Sequence, residues 1–170
     1  MSMYKYIQET FQNEYKERSQ EYKERLARWA DEPVVKRIDK PTNIARARKL
    51  GYKDKQGVIV VRVRVDGGKT KRERFDGGRK PSKSGRFYSR HKSLRMIAEE
   101  RANREYRNCE VVNSYFVGSR SNTKYYEVIL VDRNHPAIIN DKFYSQIIRR
   151  KGRAFRGLTS AGRKVRGLLA

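Results

Sequence analysis

Two histidines, one cysteine and a scatter of carboxylates are what this chain offers for proton transfer, nucleophilic attack or metal binding. His91 and His135 lack the i,i+4 spacing of a helical metal pair, and no Cys or carboxylate cluster completes a site beside either. His135 precedes Pro136 and reads as a turn or packing residue, while His91, between Arg90 and Lys92, belongs to a basic run. Glu99 and Glu100 are adjacent, so on a helix they project about 100° apart and cannot work as a carboxylate pair. They are expected to bond to neighbouring arginines such as Arg104. A lone Cys109 allows no intramolecular disulfide and reads as a small buried apolar residue. Gly68-Lys69-Thr70 copies the end of a phosphate-binding loop, but Val63 stands where the first glycine should be. Gly78 to Ser84 fails as well, because Lys83 replaces the second glycine. In neither place does a helix follow to donate its amides. No catalytic constellation, metal site or cofactor loop can be assembled, so an enzyme is not expected.

The abundant chemistry is cationic. Lys and Arg number 42 against 19 Asp and Glu, for a formal net charge of +23 and a pI near 10.4. Such an excess repels itself unless a polyanion is the usual partner, because each neutralised phosphate releases condensed counterions. Guanidinium groups fork onto phosphates and stack on bases. Aromatic residues interleave with these cations: Tyr52 between Lys49 and Lys53, Phe87-Tyr88 between Arg86 and Arg90, Phe155 between Arg153 and Arg156. That is the composition of an RNA-binding surface. No run approaches the ~18 apolar residues of a spanning helix, so no membrane role is expected. Nor is a secretory leader read at the start.

Elements must position these groups. Tyr4, Ile7, Phe11, Tyr15, Tyr22, Leu26 and Trp29 recur at helical steps and predict one amphipathic helix over 1–33, stopped at Pro33. Its aromatic stripe reads as packing surface rather than base-stacking surface. Glu14 with Arg18, Glu21 with Arg25 and Glu24 with Arg28 are spaced to pair along it. Residues 36–56 are basic and broken by Pro41 and Gly51. Val58 to Val65 alternates as a strand, with Arg62 and Arg64 on one face and Val61, Val63 and Val65 on the other, and Asp66-Gly67-Gly68 turns it. Residues 67–92 read as a basic loop with no fold of its own. Ser93 to Arg107 predicts a helix with Leu94, Ile97, Ala98, Ala102 and Tyr106 on its buried face. Strands over 111–117 and 125–131 follow, joined by a hairpin loop at 118–122. The expected fold is therefore α+β: a small, mainly antiparallel sheet packed with helices, forming a core over 34–135, plus long basic extensions. The last extension, 136–170, is rich in glycine, and residues 142–170 contain no acid. A hydrophobic fraction of 36% and a mean hydropathy of -0.98 allow one small core.

An ordered series of strings then resembles a known family. Tyr4-Lys-Tyr-Ile7 is followed by Ala47-Arg-Lys-Leu-Gly-Tyr-Lys53, Lys55-Gln-Gly57, Ala98-Glu-Glu-Arg-Ala102, Asn113-Ser-Tyr115 and Tyr126-Glu-Val-Ile-Leu130. It closes with Arg156-Gly-Leu-Thr-Ser-Ala-Gly-Arg-Lys164 and Arg166-Gly-Leu168. The set resembles the archaeal and eukaryotic large-subunit ribosomal protein family numbered fifteen-e, which is unrelated to the bacterial protein bearing that number. His135-Pro-Ala-Ile138 and Asn140-Asp141 are closer to the archaeal branch. The family runs on past the Arg-Gly-Leu string with a further basic tail, and Asp54 interrupts an otherwise basic motif. The resemblance implies a cytoplasmic, ribosome-bound scaffold protein whose partners are large-subunit ribosomal RNA and neighbouring ribosomal proteins, with no small-molecule substrate.

RNA contacts are expected from Arg46, Arg48, Lys49, Tyr52, Lys53 and Lys55, and from Arg62 and Arg64 on the strand. In the loop they are expected from Arg79, Lys80, Arg86, Arg90, His91 and Lys92. In the tail they are Arg149, Arg150, Lys151, Arg153, Arg156, Arg163, Lys164 and Arg166, with Gly152, Gly157, Gly162 and Gly167 letting backbone pass close to RNA. Two other classes stand beside this one: an RNA-modifying enzyme with a degenerate site, and a free-standing architectural nucleic-acid binder.

Overall fold

The computed structural model describes residues 3–68, 70–71, 78, 87–88 and 91–168. The expected first helix is two: α1 (Met3–Glu17) and α2 (Gln20–Asp31). Arg18 takes a positive φ of 51°, and the Ser19 hydroxyl accepts the Tyr22 amide, so a residue with strong capping preference restarts the helix. Arg25, spaced to pair with Glu21, reaches across the break to Glu14. The two halves of the aromatic stripe part company here. Tyr22, Leu26 and Trp29 are buried against Tyr125, whereas α1 buries no side chain.

Two short elements lie where only a broken basic pattern was legible: β1 (Val35–Ile38) and α3 (Ile44–Lys49). Asn43 caps α3 by accepting the Arg46 amide. Then follow β2 (Val58–Asp66), β3 (Thr70–Lys71) and β4 (Phe87–Tyr88). Next come α4 (Leu94–Glu105), β5 (Cys109–Arg120) and β6 (Thr123–Asp132). The chain ends in α5 (Pro136–Ile139), α6 (Lys142–Ile148) and α7 (Ser160–Val165).

The main sheet is antiparallel throughout, in the order β1-β2-β6-β5, and β3 pairs with β4 as a separate ribbon. The three strands read from the sequence are present, and the α+β class holds. β5 and β6 run longer than expected, so the loop at 118–122 tightens to a turn at Ser121-Asn122. Two register shifts interrupt β5, between Val111 and Asn113 and between Phe116 and Gly118.

Strand parity divides the core. One face carries Val61, Val63, Val65, Val111, Val128 and Leu130 under α4, whose Ser93 cap and span agree with the sequence pattern. The other carries Val60, Val112, Ile129 and Val131, with Ala47 from α3 and Tyr144 and Ile147 from α6. A chain of low hydrophobic content thus covers both sheet faces, where one small core was expected. Burying each Val or Leu side chain is worth about 1.5–3 kcal/mol.

The expected C-terminal extension is the largest departure. Tyr144, Ala154, Thr159 and Ala161 are buried, so residues 136–168 form a strap packed on the body rather than a free arm. The strap leaves α6 on one sheet face and brings Ala154 into the cluster on the other. Gly162 faces Gly157 so closely that a Cβ there would lie 2.5 Å from the Gly157 Cα. This close approach is internal to the strap.

Candidate nucleic-acid interface

Three buried carboxylates build the site from inside. Glu110 on β5 accepts the backbone amides of Gly152 and Arg153 at 2.8 and 3.2 Å, seating the start of the strap. Glu99 on α4 accepts the Ser114 and Thr159 hydroxyls, both at 2.5 Å, and pins its end. Burial pushes the Glu99 carboxyl above its ordinary range, against the opposing pull of those two hydroxyls. Glu127 on β6 accepts the amide and hydroxyl of Thr42 and the Tyr115 hydroxyl, so it holds the loop before α3. Burial raises its pKa too.

Asp141 works at the rim. One oxygen caps α6 through the Phe143 and Tyr144 amides, while the other takes Lys53 and Lys55 at 2.9 and 3.3 Å. The Lys53 hydrogen bond holds this carboxyl well below its usual range; the two amides and Lys55 act in the same direction, against partial desolvation. Glu99 and Glu100 do not serve Arg104 as expected. Glu100 binds Lys92, and Arg95 completes the Glu99 network by donating to Ser114 and Asn113.

The predicted contact residues therefore separate into inner and outer sets. Arg62 is buried: its guanidinium bonds Glu32 at 2.6 Å and lies 4.2 Å from the Trp29 ring centroid. Arg64 donates to the Ala30 carbonyl. These two share a face opposite Val61, Val63 and Val65 as their alternation implied, but α2 covers that face, so they are internal groups. Tyr52 is buried in the core beside α3 and is not a stacking surface. Arg153 spends its amide on Glu110 and its guanidinium on the Val111 carbonyl. Lys53 and Lys55 stand at the rim between the two sets, tied to Asp141 with Lys53 still exposed.

The outer set is exposed. Arg46, Arg48 and Lys49 project from α3, and His91 and Lys92 lie just before α4. Arg149, Arg150, Lys151, Arg156, Arg163, Lys164 and Arg166 line the outside of the strap, with Phe155 half exposed among them. Arg79, Lys80, Arg86 and Arg90 lie outside the described residues. His135 caps α5 by accepting the Ala137 amide, as a turn residue would. Cys109 is buried, and burial pushes its thiol up to about 11. Among the described residues no group of three His, Cys, Asp or Glu is placed to hold a metal, and no helix is long and apolar enough to cross a membrane.

The sequence reading missed the carboxylates that do the anchoring. A signal was present: Glu127 interrupts the otherwise uncharged strand Tyr125 to Val131, and a charge inside a doubly buried strand must find partners.

Buried carboxylates that seat the strap, and exposed cations on its outer side, define a basic α+β scaffold. The family described as Ribosomal L15, of the L15e type, matches residues 2–170, and the chain belongs to that family. It is a structural protein of the large ribosomal subunit, and proteins of the family are part of the ribosome in the cytoplasm.

Proposed function

We propose that this chain binds and stabilises folded large-subunit ribosomal RNA, beside neighbouring ribosomal proteins, through the cations of α3 and of the outer strap, and that it catalyses nothing. On His135-Pro-Ala-Ile138 and Asn140-Asp141 we place it in the archaeal branch. The observation that carries the reading is the strap: its backbone and buried side chains answer internal carboxylates, while its remaining guanidinium and ammonium groups face out with no acid in 142–170. Cations held on a rigid body bind phosphate without first losing the entropy of a free arm. Such contacts set position and affinity but read little sequence. Specificity then comes from RNA helices arranged to fit the strap and α3 together.

Binding of the full chain to folded large-subunit RNA fragments, measured across a salt series, tests this. Arg163→Gln and Lys164→Gln should each weaken binding on every RNA and lower the log–log salt slope by roughly 0.7–0.9 in magnitude. Arg62→Gln should lower stability and leave the slope unchanged. A salt-independent loss in the strap variants, or turnover of the RNA by the parent, overturns the reading.

A further inference from the structure

We propose that the groove between α1 and the outer end of β5 receives an unstacked nucleobase of that RNA, an inference that rests on the RNA-binding reading above. The groove has a volume of about 450 Å³, within the ~300–1,000 Å³ of small-ligand clefts. Phe11 and Tyr15 from α1 and Phe116 from β5 wall it. Tyr15 meets Phe116 edge to face, with ring centroids 5.6 Å apart and planes at 89°, and Phe116 meets Tyr126 in the same manner at 5.9 Å and 69°. Each edge-to-face pair engages one face of one ring, and Tyr15 meets Tyr22 in the same way at 6.3 Å and 88°, so what these rings offer a ligand is their solvent-facing surface. Tyr15 is 42% exposed and Phe116 41%, a large aromatic area for a protein otherwise so polar.

An exposed ring face in a basic cleft is the surface on which a base stacks. Gln8 and Gln12, one turn apart on α1, line the same groove, and each carboxamide offers both a donor and an acceptor to a base edge. The groove's charged lining is Lys16 and Arg46, with no Asp or Glu among the lining residues. That charge selects a polyanion. The aromatic and amide lining selects its bases over its phosphates, and Arg46 and Lys16 stand where the flanking phosphates would run.

The test uses the full chain bound to a folded large-subunit RNA fragment. Ultraviolet irradiation of the parent complex should join Tyr15 or Phe116 to a single nucleotide, mapped by peptide and primer extension. Tyr15→Ala should weaken RNA binding about tenfold, the contribution of one stacked base, with the salt slope unchanged. Arg46→Gln should lower that slope. No crosslink to either ring, with Tyr15→Ala binding like the parent while Arg163→Gln still weakens, overturns the groove assignment and leaves the RNA reading standing. Failure of the parent to bind the RNA overturns both. Crosslinking of these rings to a polypeptide in intact large subunits also overturns the proposal, making the groove a protein-docking site.

Discussion

The two ends of this chain are both assembled from cations and aromatic residues, and both lie outside the four-stranded sheet, yet they are held in different ways. The C-terminal strap buries Tyr144, Ala154, Thr159 and Ala161 and satisfies two internal acids, Glu99 and Glu110. The N-terminal α1 buries no side chain and is tied by surface contacts, Glu14 with Arg25 and Tyr4 with Arg48. The strap is not more apolar in any obvious way. What separates it from α1 is that its polar backbone answers carboxylates already removed from water, and a buried acceptor left unmet is expensive.

The sharpest break in that contrast is Glu99→Ala. It strands the Ser114 and Thr159 hydroxyls and should cost about 4 kcal/mol in chemical denaturation, with faster amide exchange across 152–165. A cost below about 1 kcal/mol would mean that packing alone holds the strap.

Gly162→Val comes next, at about 3 kcal/mol, because its Cβ meets Gly157 backbone and not a mobile side chain. It should lower the melting temperature before any RNA is added. Weakened RNA binding at parental stability would instead restore the simpler view that this glycine makes room for RNA.

Asp141→Asn keeps an oxygen to cap α6 but removes the charge paired with Lys53 and Lys55, and should cost about 1 kcal/mol at neutral pH. Its pH signature matters more. The folded carboxyl sits below its ordinary value of 3.8, so its contribution is present above that value and fades as pH falls toward the folded value. Glu99 has the opposite sign: its folded carboxyl lies above its ordinary 4.5, so its protonation favours folding, and stability declines as pH rises through that range. Urea titrations of the two variants against pH should lose these two dependences separately. Identical profiles would show that the two acids do not act as distinct clamps.

The smallest effect is expected at the other end. Glu14→Gln breaks the pair with Arg25 and should change stability by about 0.5 kcal/mol, while loosening α1 in amide exchange. A loss of several kcal/mol would erase the contrast between the two ends.

Much of the body was legible because periodicity is a burial signal. Val58–Val65, the helix after Ser93 and the strands around Val111–Val117 and Tyr125–Val131 announce themselves by apolar spacing. β1 and α3 did not, since four and six residues are too short for a period to emerge among lysines and arginines. The break at Arg18-Ser19 left the 3.6-residue rhythm of the aromatic stripe almost intact, so two helices looked like one. The strap was misread because its buried Ile138, Tyr144, Ile147 and Ala154 are too scattered among glycines and cations to show a period, and because amides to Glu110 and a threonine to Glu99 leave no apolar pattern. For the same reason charge alone could not tell Arg62 and Arg153, turned inward, from Arg156 and Arg163, turned out.

The edges of the sheet carry a consequence for the interval between synthesis and assembly. An uncovered strand edge invites a second copy to add its own strand, and a chain awaiting assembly into its subunit is exposed to that hazard. β5, the outer strand on one side, is kinked twice by its register shifts, and its Val111 and Ser114 carbonyls are occupied by Arg153 and Arg95. β1, the outer strand on the other, is four residues long and presents Lys36 and Arg37 to solvent. Neither side offers a flat, regular ladder for a copy to extend. Arg153, which resembles a nucleic-acid ligand in the sequence, thus acts with Arg95, Lys36 and Arg37 as a guard against cross-β self-association.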